Sequence, residues 1–205
     1  KAEINGMLEL AEMKPDAIHY DYTRYENQDG CFCNYCRALF ETEIGESVNW
    51  PVDVTVGGRY FPRWNAFRVA QVERYLKPIA DAVRVKYPDI EISSAVQPLF
   101  KLQHAQDWAN WTRNGYFDTA VAMDYRITLA EFKATLDEQE KFIAGIKDKV
   151  IPGIGIRSGF GAIDAKETAG QIREVRSRGY KGFAIFAYTQ YTVNVLRQLK
   201  KDGLL

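Results

Sequence analysis

The feature that most constrains the fold is a regular alternation of short apolar segments with longer amphipathic ones. The apolar segments are predicted to be strands, at residues 17–25, 91–97, 119–126, 150–156 and 182–188. A helix is predicted after each strand, at residues 65–86, 107–115, 129–146, 165–178 and 191–201, and another precedes the first strand at 3–14. Residues 26–64 are predicted to be a long loop. Strict alternation of this kind favours a parallel sheet with helices outside it.

The number of strands leaves two architectures open. A complete (β/α)₈ barrel usually has eight strands and about 250 residues, whereas this chain has 205 residues. Five strands therefore indicate either a small doubly wound α/β domain or the second part of a TIM-like barrel. In both cases we expect one domain over residues 1–205. No glycine-rich phosphate loop follows a predicted strand, which disfavours a nucleotide-binding domain.

Charge and hydropathy narrow the range of partners and locations. Lys plus Arg and Asp plus Glu number 27 each, a balance that disfavours binding to nucleic acid or to an acidic membrane surface. No apolar run approaches the roughly 18 residues of a membrane-spanning helix. No signal peptide opens the sequence, so we expect a cytoplasmic location unless such a peptide has been removed, in which case secretion or the periplasm fits.

Polar side chains follow the predicted strands at the ends where parallel α/β folds place their active sites. They are Asp21 with Arg24, Gln97, Asp124 with Arg126, Arg157, and Tyr188 with Gln190. Because side chains alternate along a strand, Asp21 shares a face with His19 and Asp124 shares one with Ala122. Both faces are expected to line the barrel interior, where two acids could converge as glycoside hydrolysis requires. The alternative is that each Asp forms an ion pair with the arginine that follows it.

All three cysteines lie in the short segment CFCNYC, at Cys31, Cys33 and Cys36. This spacing brings three thiols within reach of one ion, and zinc takes four ligands in a tetrahedral arrangement. Since the chain has no other cysteine, a fourth ligand has to be another side chain or water. The alternative is a set of three reduced, partly buried thiols. The sequence contains no motif for an organic cofactor.

Several segments together resemble one protein family. DAIHYDYTRY (16–25) is similar to DGIHFDYIRYP of the glycosyl-hydrolase-like barrel proteins known as family 10 glycosyl hydrolase-like. The similarity continues in WNAFRVAQVERYL (64–76), in QDWANWTRNGYFDTAVAMDYR (106–126) and in IPGIGI (151–156). In such proteins the first segment is the fourth barrel strand. The resemblance therefore implies a partial TIM-like barrel with strands 4–8 that hydrolyses the glycosidic bonds of an oligosaccharide or polysaccharide.

The resemblance also implies roles for individual residues. Related retaining glycosidases carry a nucleophile on strand four and an acid on strand six, which correspond to Asp21 and Asp124. Arg24 and Arg68 would orient carboxylates or sugar hydroxyls. Further candidates for contact with substrate are Gln97 and the aromatic residues Tyr22, Tyr25, Trp50, Trp64, Trp108 and Tyr188. For Trp108, as for Trp111, packing of the helix is the favoured alternative. A retaining mechanism requires the two carboxyl groups about 5–5.5 Å apart, whereas about 6.5–9.5 Å would mean inversion. The closeness of Asp21 is expected to raise the pKa of Asp124.

Three further expectations remain. The segment CFCNYCRALF resembles the zinc-bearing loop of family 42 β-galactosidases, which implies a structural zinc ion. A carbohydrate-binding barrel without catalysis is an alternative function, in which the acids only accept hydrogen bonds from sugar hydroxyls. If the first three barrel strands are absent, the open edge at residues 17–25 is expected to promote self-association.

Overall fold

The computed structural model of the protein describes residues 2–28, 30–99 and 104–204. Its strands are β1 (Ala17–Tyr20), β2 (Glu91–Val96), β3 (Thr119–Ala122), β4 (Val150–Gly155), β5 (Arg157–Ser158), β6 (Gly161–Ala162) and β7 (Ala184–Phe186). Five of them form one sheet in the order β1-β2-β3-β4-β7, and every neighbouring pair is parallel. Strands β5 and β6 form a separate antiparallel hairpin. The strand order follows the chain without reversal, unlike that of a doubly wound sheet, so the prediction of a partial TIM-like barrel is confirmed.

Helices separate the strands of the sheet. They are α1 (Ala2–Glu12), α2 (Asn34–Ile44), α3 (Phe61–Lys86), α4 (Trp108–Arg113), α5 (Leu129–Glu140), α6 (Ala165–Ser177) and α7 (Gln190–Lys201). Six of the seven correspond to predicted helices. Within the described part of the chain, no helix combines the length and the apolar character needed to cross a membrane.

Helix α2 contradicts the predicted loop at residues 26–64. The side chain of Cys33 caps the amino end of the helix by accepting a hydrogen bond from the backbone N–H of Cys36. Gly45 ends the helix in the left-handed conformation, at a φ of 76° that glycine adopts without strain. Leu39, Phe40 and Ile44 follow at helical spacing, and this pattern could have indicated the helix that was predicted to be a loop.

The two faces of the sheet have different surroundings. One face packs against the helices, and its side chains, such as Ile18, Ile92 and Ala120, belong to the main core. The opposite face carries His19 and Val121 and forms the concave side of the half-barrel, where it is open. Side-chain alternation along each strand thus separates a core face from a face that a ligand can reach.

A second, smaller core lies beside the main one. It consists of aromatic and branched side chains from α2, α3 and the segment between them: Phe40, Val48, Val54, Tyr60, Trp64 and Phe67. Helix α3 links the two cores, because its later residues Leu76, Ile79 and Val83 belong to the main core. The segment from residue 32 to residue 60 is therefore a packed subdomain on the end of α3.

Candidate active site

A cavity of about 440 Å³ occupies the concave face of the half-barrel. Its walls come from four of the five parallel strands and the residues after them: His19, Asp21, Tyr22, Arg24, Ala95, Val121, Met123, Tyr125, Ala184, Ile185 and Phe186. On this face the Nδ1 atom of His19 lies 2.8 Å from the Ser93 hydroxyl. The cavity therefore combines an apolar floor with a few polar side chains, as ligand sites usually do.

Asp21 is the carboxylate of this cavity. Its side chain is 54% exposed, and its Oδ1 atom lies 3.5 Å from Nη1 of Arg24, whose side chain is only 12% exposed. The same oxygen accepts a hydrogen bond of 2.7 Å from the backbone N–H of Tyr22. The ion pair expected as an alternative to catalysis is thus present, and it fixes a charged carboxylate at the open surface.

Tyr125 is a cavity residue that the sequence analysis missed. Its ring stacks on Phe186, with the ring centres 4.9 Å apart and the planes at 14°. Two glycines of β4 make room for it: a Cβ atom on Gly155 would lie 2.8 Å from the Tyr125 Cβ atom, and one on Gly153 would lie 3.1 Å from Tyr125 Cε1. Glycines at alternate positions of a strand signal such a close approach, so the PGIG segment could have indicated this residue.

The phenol of Tyr125 is held in its protonated form. Burial is the main cause that raises the pKa of Tyr125 to about 12, and the negative charges of Asp21 and Asp124 contribute to the rise. A protonated phenol can donate a hydrogen bond to a ligand in the cavity. Tyr125 therefore lies within the electrostatic influence of both predicted catalytic acids.

Asp124 does not face the cavity. It is fully buried together with Ala120 and Ala122, which belong to the core between the sheet and the helices. The expectation that Asp124 and Ala122 face the barrel interior is wrong. Val121 of β3 and Met123, which follows the strand, lie on the concave side instead. The predicted distance of about 5–5.5 Å between the carboxyl groups of Asp21 and Asp124 stays a prediction for the protein with bound substrate.

The surroundings of Asp124 explain its protonation. Its Oδ1 atom accepts a hydrogen bond of 3.1 Å from Nε2 of Gln139, which also donates to the carbonyl of Pro98. Its Oδ2 atom has no hydrogen-bond partner of normal geometry among the described residues, although the backbone N–H of Gly153 is close enough to the carboxyl to lower its pKa slightly. Burial raises the pKa of Asp124 to about 7, against the opposing charge of Arg126. The shift has the predicted direction, but its cause is burial and not the charge of Asp21.

A second cavity, of about 230 Å³, adjoins the first. Its walls are Gln97, Pro98, Leu99, Met123, Tyr125, Arg126 and Phe160, so the two cavities share Met123 and Tyr125. Phe160 in the β5–β6 hairpin is 64% exposed. Arg126 donates a hydrogen bond of 2.7 Å to the carbonyl of Tyr125. The predicted residue Gln97 therefore lies next to, and not within, the cavity of Asp21.

The predicted aromatic and arginine contacts divide into exposed and buried groups. Tyr22 and Tyr188 are exposed by 73% and 91% and are available to a ligand. Trp64 is fully buried, so its prediction as a stacking surface is wrong, whereas the full burial of Trp108 agrees with the alternative of helix packing. Arg68 is also fully buried, where it hydrogen-bonds Asn65 and the carbonyl of Asn27 and lies over the Tyr25 ring. Trp64 packs in the smaller core with Phe40 of α2, and Trp108 packs in the main core.

The cysteines form a compact cluster at the start of α2. Their Sγ atoms all lie within 4.8 Å of one another, and none is in a disulfide. Hydrogen bonding from the backbone N–H of Cys36 lowers the pKa of Cys33 to about 7, whereas burial raises that of Cys36 to about 12. Three thiols at this separation can bind a metal ion, as their spacing in the sequence predicted.

Proteins of known structure share this fold. The glycoside hydrolase domain of PgaB (BpsB) from Bordetella bronchiseptica superposes with a TM-score of 0.66 and 11% identity, over 90% of this chain and 56% of that one. A GH18 chitinase from Pseudoalteromonas aurantia gives 0.55 and 14% identity, over 96% and 66% of the two chains. Bee venom hyaluronidase in complex with a hyaluronic acid tetramer gives 0.57 and 12%, over 95% and 71%. The chain thus spans little more than half the length of the first structure.

Sequence comparison identifies the family. No curated protein is similar enough to this chain to give a match. The family described as Glycosyl hydrolase-like 10, however, matches residues 10–168, which include Asp21, the cysteine cluster and strands β1 to β4. Because that match covers well over half of the sequence, the chain belongs to the glycosyl hydrolase-like 10 family.

Proposed function

We propose that this chain is a glycoside hydrolase domain that cleaves an oligosaccharide or polysaccharide. One observation carries the proposal: Asp21 lies at the carboxyl end of β1, in an open cavity on the concave face, with Arg24 beside it. Enzymes of this barrel architecture carry their catalytic residues at that end of the strands. The glycoside hydrolase domain, chitinase and hyaluronidase with the same fold support a carbohydrate as the partner.

In the proposed mechanism Asp21 is the nucleophile of a retaining reaction. A carboxylate oxygen of Asp21 bonds to the anomeric carbon while the bond from that carbon to the leaving oxygen breaks. The leaving oxygen takes a proton from a carboxylic acid, and that group later takes a proton from the water that releases the sugar. Arg24 places a positive charge beside the Asp21 carboxylate, with Nη1 3.5 Å from Oδ1.

Asp124 is our candidate for the proton donor. A pKa of about 7 suits a group that must give a proton and take it back near neutral pH. Its carboxyl is enclosed by the chain after β2 and by Gln139 of α5, so this role requires the residues after β3 to move when substrate binds. Without such a movement, Asp21 would be the only carboxylate available in the cavity among the described residues.

The test is hydrolysis of a panel of aryl glycosides that differ in leaving group. Asp21→Asn should lower kcat by on the order of 10⁴-fold or more. Asp124→Asn should lower it by about 10²–10⁴-fold for poor leaving groups but spare the first step for activated ones, which need no protonation. The control is Asp81→Asn, an exposed carboxylate on α3 that pairs with Lys77 outside the cavity.

Three results would contradict these assignments. Full activity in Asp21→Asn would exclude it as nucleophile, and equal loss for all leaving groups in Asp124→Asn would exclude it as proton donor. Binding of sugars without turnover by the unaltered protein would favour a non-catalytic carbohydrate-binding domain. That alternative is supported by the single carboxylate of the cavity and by Tyr22 and Tyr188, whose exposed rings are suited to stack on sugars.

We also propose that Cys31, Cys33 and Cys36 bind one zinc ion with a structural role. The proposal rests on the mutual distances of their Sγ atoms. Three thiolates leave one tetrahedral position for water or another side chain. Because Cys33 caps α2 and Cys36 lies in its first turn while Cys31 precedes the helix, zinc would fasten the preceding loop to this helix.

A further inference from the structure

The smaller cavity contains a partly buried cation without a counter-ion. Arg126 lines it, and the only hydrogen bond of its side chain to the described residues runs from Nη1 to the Tyr125 carbonyl. No carboxylate of the described chain lies within ion-pair distance of its guanidinium. The Nη2 and Nε atoms therefore remain available for a planar acceptor.

Among the arginines of the described chain that are neither fully buried nor exposed, the four others each have an acidic partner. The pairs are Arg24–Asp21, Arg37–Glu41, Arg84–Asp118 and Arg178–Glu174. Charges that lose part of their hydration are normally compensated in this way. Arg126 has no such partner among the described residues, and its side chain lines a cavity. This combination suggests that its counter-ion comes from a ligand.

Asp124 does not supply the missing charge. Its carboxyl is on the buried side of the chain, hydrogen-bonded to Gln139, and forms no ion pair with Arg126. With its pKa raised to about 7 by burial, it carries only part of a negative charge at neutral pH. An anion in the cavity would therefore meet a cation that is incompletely neutralised.

The shape and the other walls of the cavity suit one sugar ring. Its volume of about 230 Å³ is below the roughly 300–1,000 Å³ of pockets for drug-sized ligands. Phe160 offers an exposed ring, with the Arg126 guanidinium carbon 5.8 Å from its centre. Gln97 and Tyr125 provide polar groups, and Tyr125 also lines the cavity of Asp21. A sugar here would be a neighbour of the sugar at the reacting centre.

We propose that this cavity is a subsite for a sugar that carries a carboxylate, a uronic acid, and that Arg126 binds the carboxylate. The planar guanidinium can engage both carboxylate oxygens through two parallel N–H bonds, which neither a neutral sugar nor a primary alcohol can reproduce. The inference rests on the proposed glycoside hydrolase function and names its substrate class: an acidic oligosaccharide or polysaccharide.

The test compares matched pairs of oligosaccharides by calorimetry. Each pair consists of an oligosaccharide that contains glucuronic, galacturonic or mannuronic acid and its carboxyl-reduced counterpart, which differ only in the charged group. For at least one pair the unaltered protein should bind the acidic member about 10-fold or more tightly, as expected for one charge-assisted hydrogen-bonded pair. Arg126→Gln should abolish that preference, and Arg126→Lys should retain part of it.

The controls separate the subsite from the fold and from the proposed activity. Arg173→Gln, at an exposed position of α6, should keep the preference, and an unchanged melting temperature in Arg126→Gln shows that the variant folds. Equal affinity for both members of every pair, no binding to any acidic member, a preference that survives in Arg126→Gln, or stronger binding of a sulfated neutral sugar would each overturn the inference. Hydrolysis of neutral aryl glycosides in any of these cases would leave the proposed function intact.

Discussion

At the scale of single residues, Asp124 is unusual because its carboxyl group is wholly enclosed and its Oδ2 atom has no hydrogen bond of normal geometry within the described part of the chain. Burial without full compensation disfavours the charged form, and this accounts for a pKa near 7. Such a group makes folding depend on pH. It is protonated in the folded chain at pH values where the unfolded chain has already released the proton.

The stability of the protein should therefore fall as pH rises from about 4 to about 7. In that window the folded state binds more protons than the unfolded state, so each increase in pH favours unfolding. A rise of the pKa from 3.8 to about 7 corresponds to a loss of about 4 kcal/mol across the window. Asp124→Asn should flatten this part of the pH profile, which thermal unfolding at a series of pH values measures.

Asp21→Asn is the matched control for this experiment, because Asp21 is an exposed carboxylate on the opposite face. It should leave the slope between pH 4 and pH 7 in place. A profile of Asp124→Asn that runs parallel to that of the unaltered protein would show that Asp124 is ionised in the folded state. That result would remove the basis for its role as proton donor.

The sequence predicted correctly those contacts that join residues close together in the chain. It predicted less well which side chains are buried by residues distant in the chain. The Asp21–Arg24 pair and the cysteine cluster follow from spacing along the chain, and both are present. Trp64 was misread as a sugar platform because the packing that buries it comes from α2, which was not predicted. Arg126 was named only as a partner for Asp124, since its lack of an ion pair is visible only in three dimensions.

At the scale of secondary-structure elements, the close contact between β4 and Tyr125 depends on glycine. Gly155→Ala would place a Cβ atom 2.8 Å from the Tyr125 Cβ atom and 3.1 Å from that of Ser158. We expect this overpacking to cost about 1–3 kcal/mol, and thermal unfolding measures the loss. The matched control is Gly182→Ala, where the nearest atom, Ile151 Cδ1, lies at an ordinary 3.8 Å. Equal melting temperatures for the two variants would show that the ring can move aside.

Helix α2 gives the second prediction at this scale. Zinc at 100 times its dissociation constant should stabilise the folded chain by about 2.7 kcal/mol, which corresponds to a rise in Tm of about 5–10 °C. Cys36→Ser should abolish the rise, since it removes one of three thiol ligands. Elemental analysis of protein prepared with reductant and zinc should find one equivalent. Absence of zinc under those conditions, or the same rise in Cys36→Ser, would contradict the proposed site.

Element boundaries show where local patterns were insufficient. The predicted strand at 17–25 ends at Tyr20 in the structure, and Tyr22 has a φ of 56°, which is incompatible with a strand. The apolar alternation continues through these residues, so a periodic pattern could not mark the end. The helices after the strands were predicted within a few residues, except that α5 ends at Glu140 and not at residue 146. Packing and capping fix such ends, and neither has a strong sequence signal.

At the scale of the whole molecule, the half-barrel has two edges. β1 forms one edge of the sheet and β7 the other, so part of the backbone of each faces no other strand of the described chain. Unpaired edge groups favour pairing with a second chain. Sedimentation velocity should therefore show association that increases with concentration. Ala17→Lys, at an exposed position of β1, should weaken it, whereas a monomer at every concentration in the unaltered protein would contradict the prediction.

The division of the interior into two cores has an optical consequence. The chain has four tryptophans: Trp50 and Trp64 are in contact at the small core, whereas Trp108 and Trp111 belong to the main core. Exposure of the small core alone would shift the emission of only half of these fluorophores to longer wavelength. A chain in which Trp108 and Trp111 are replaced by phenylalanine would therefore carry an emission spectrum that reports on the α2 subdomain alone.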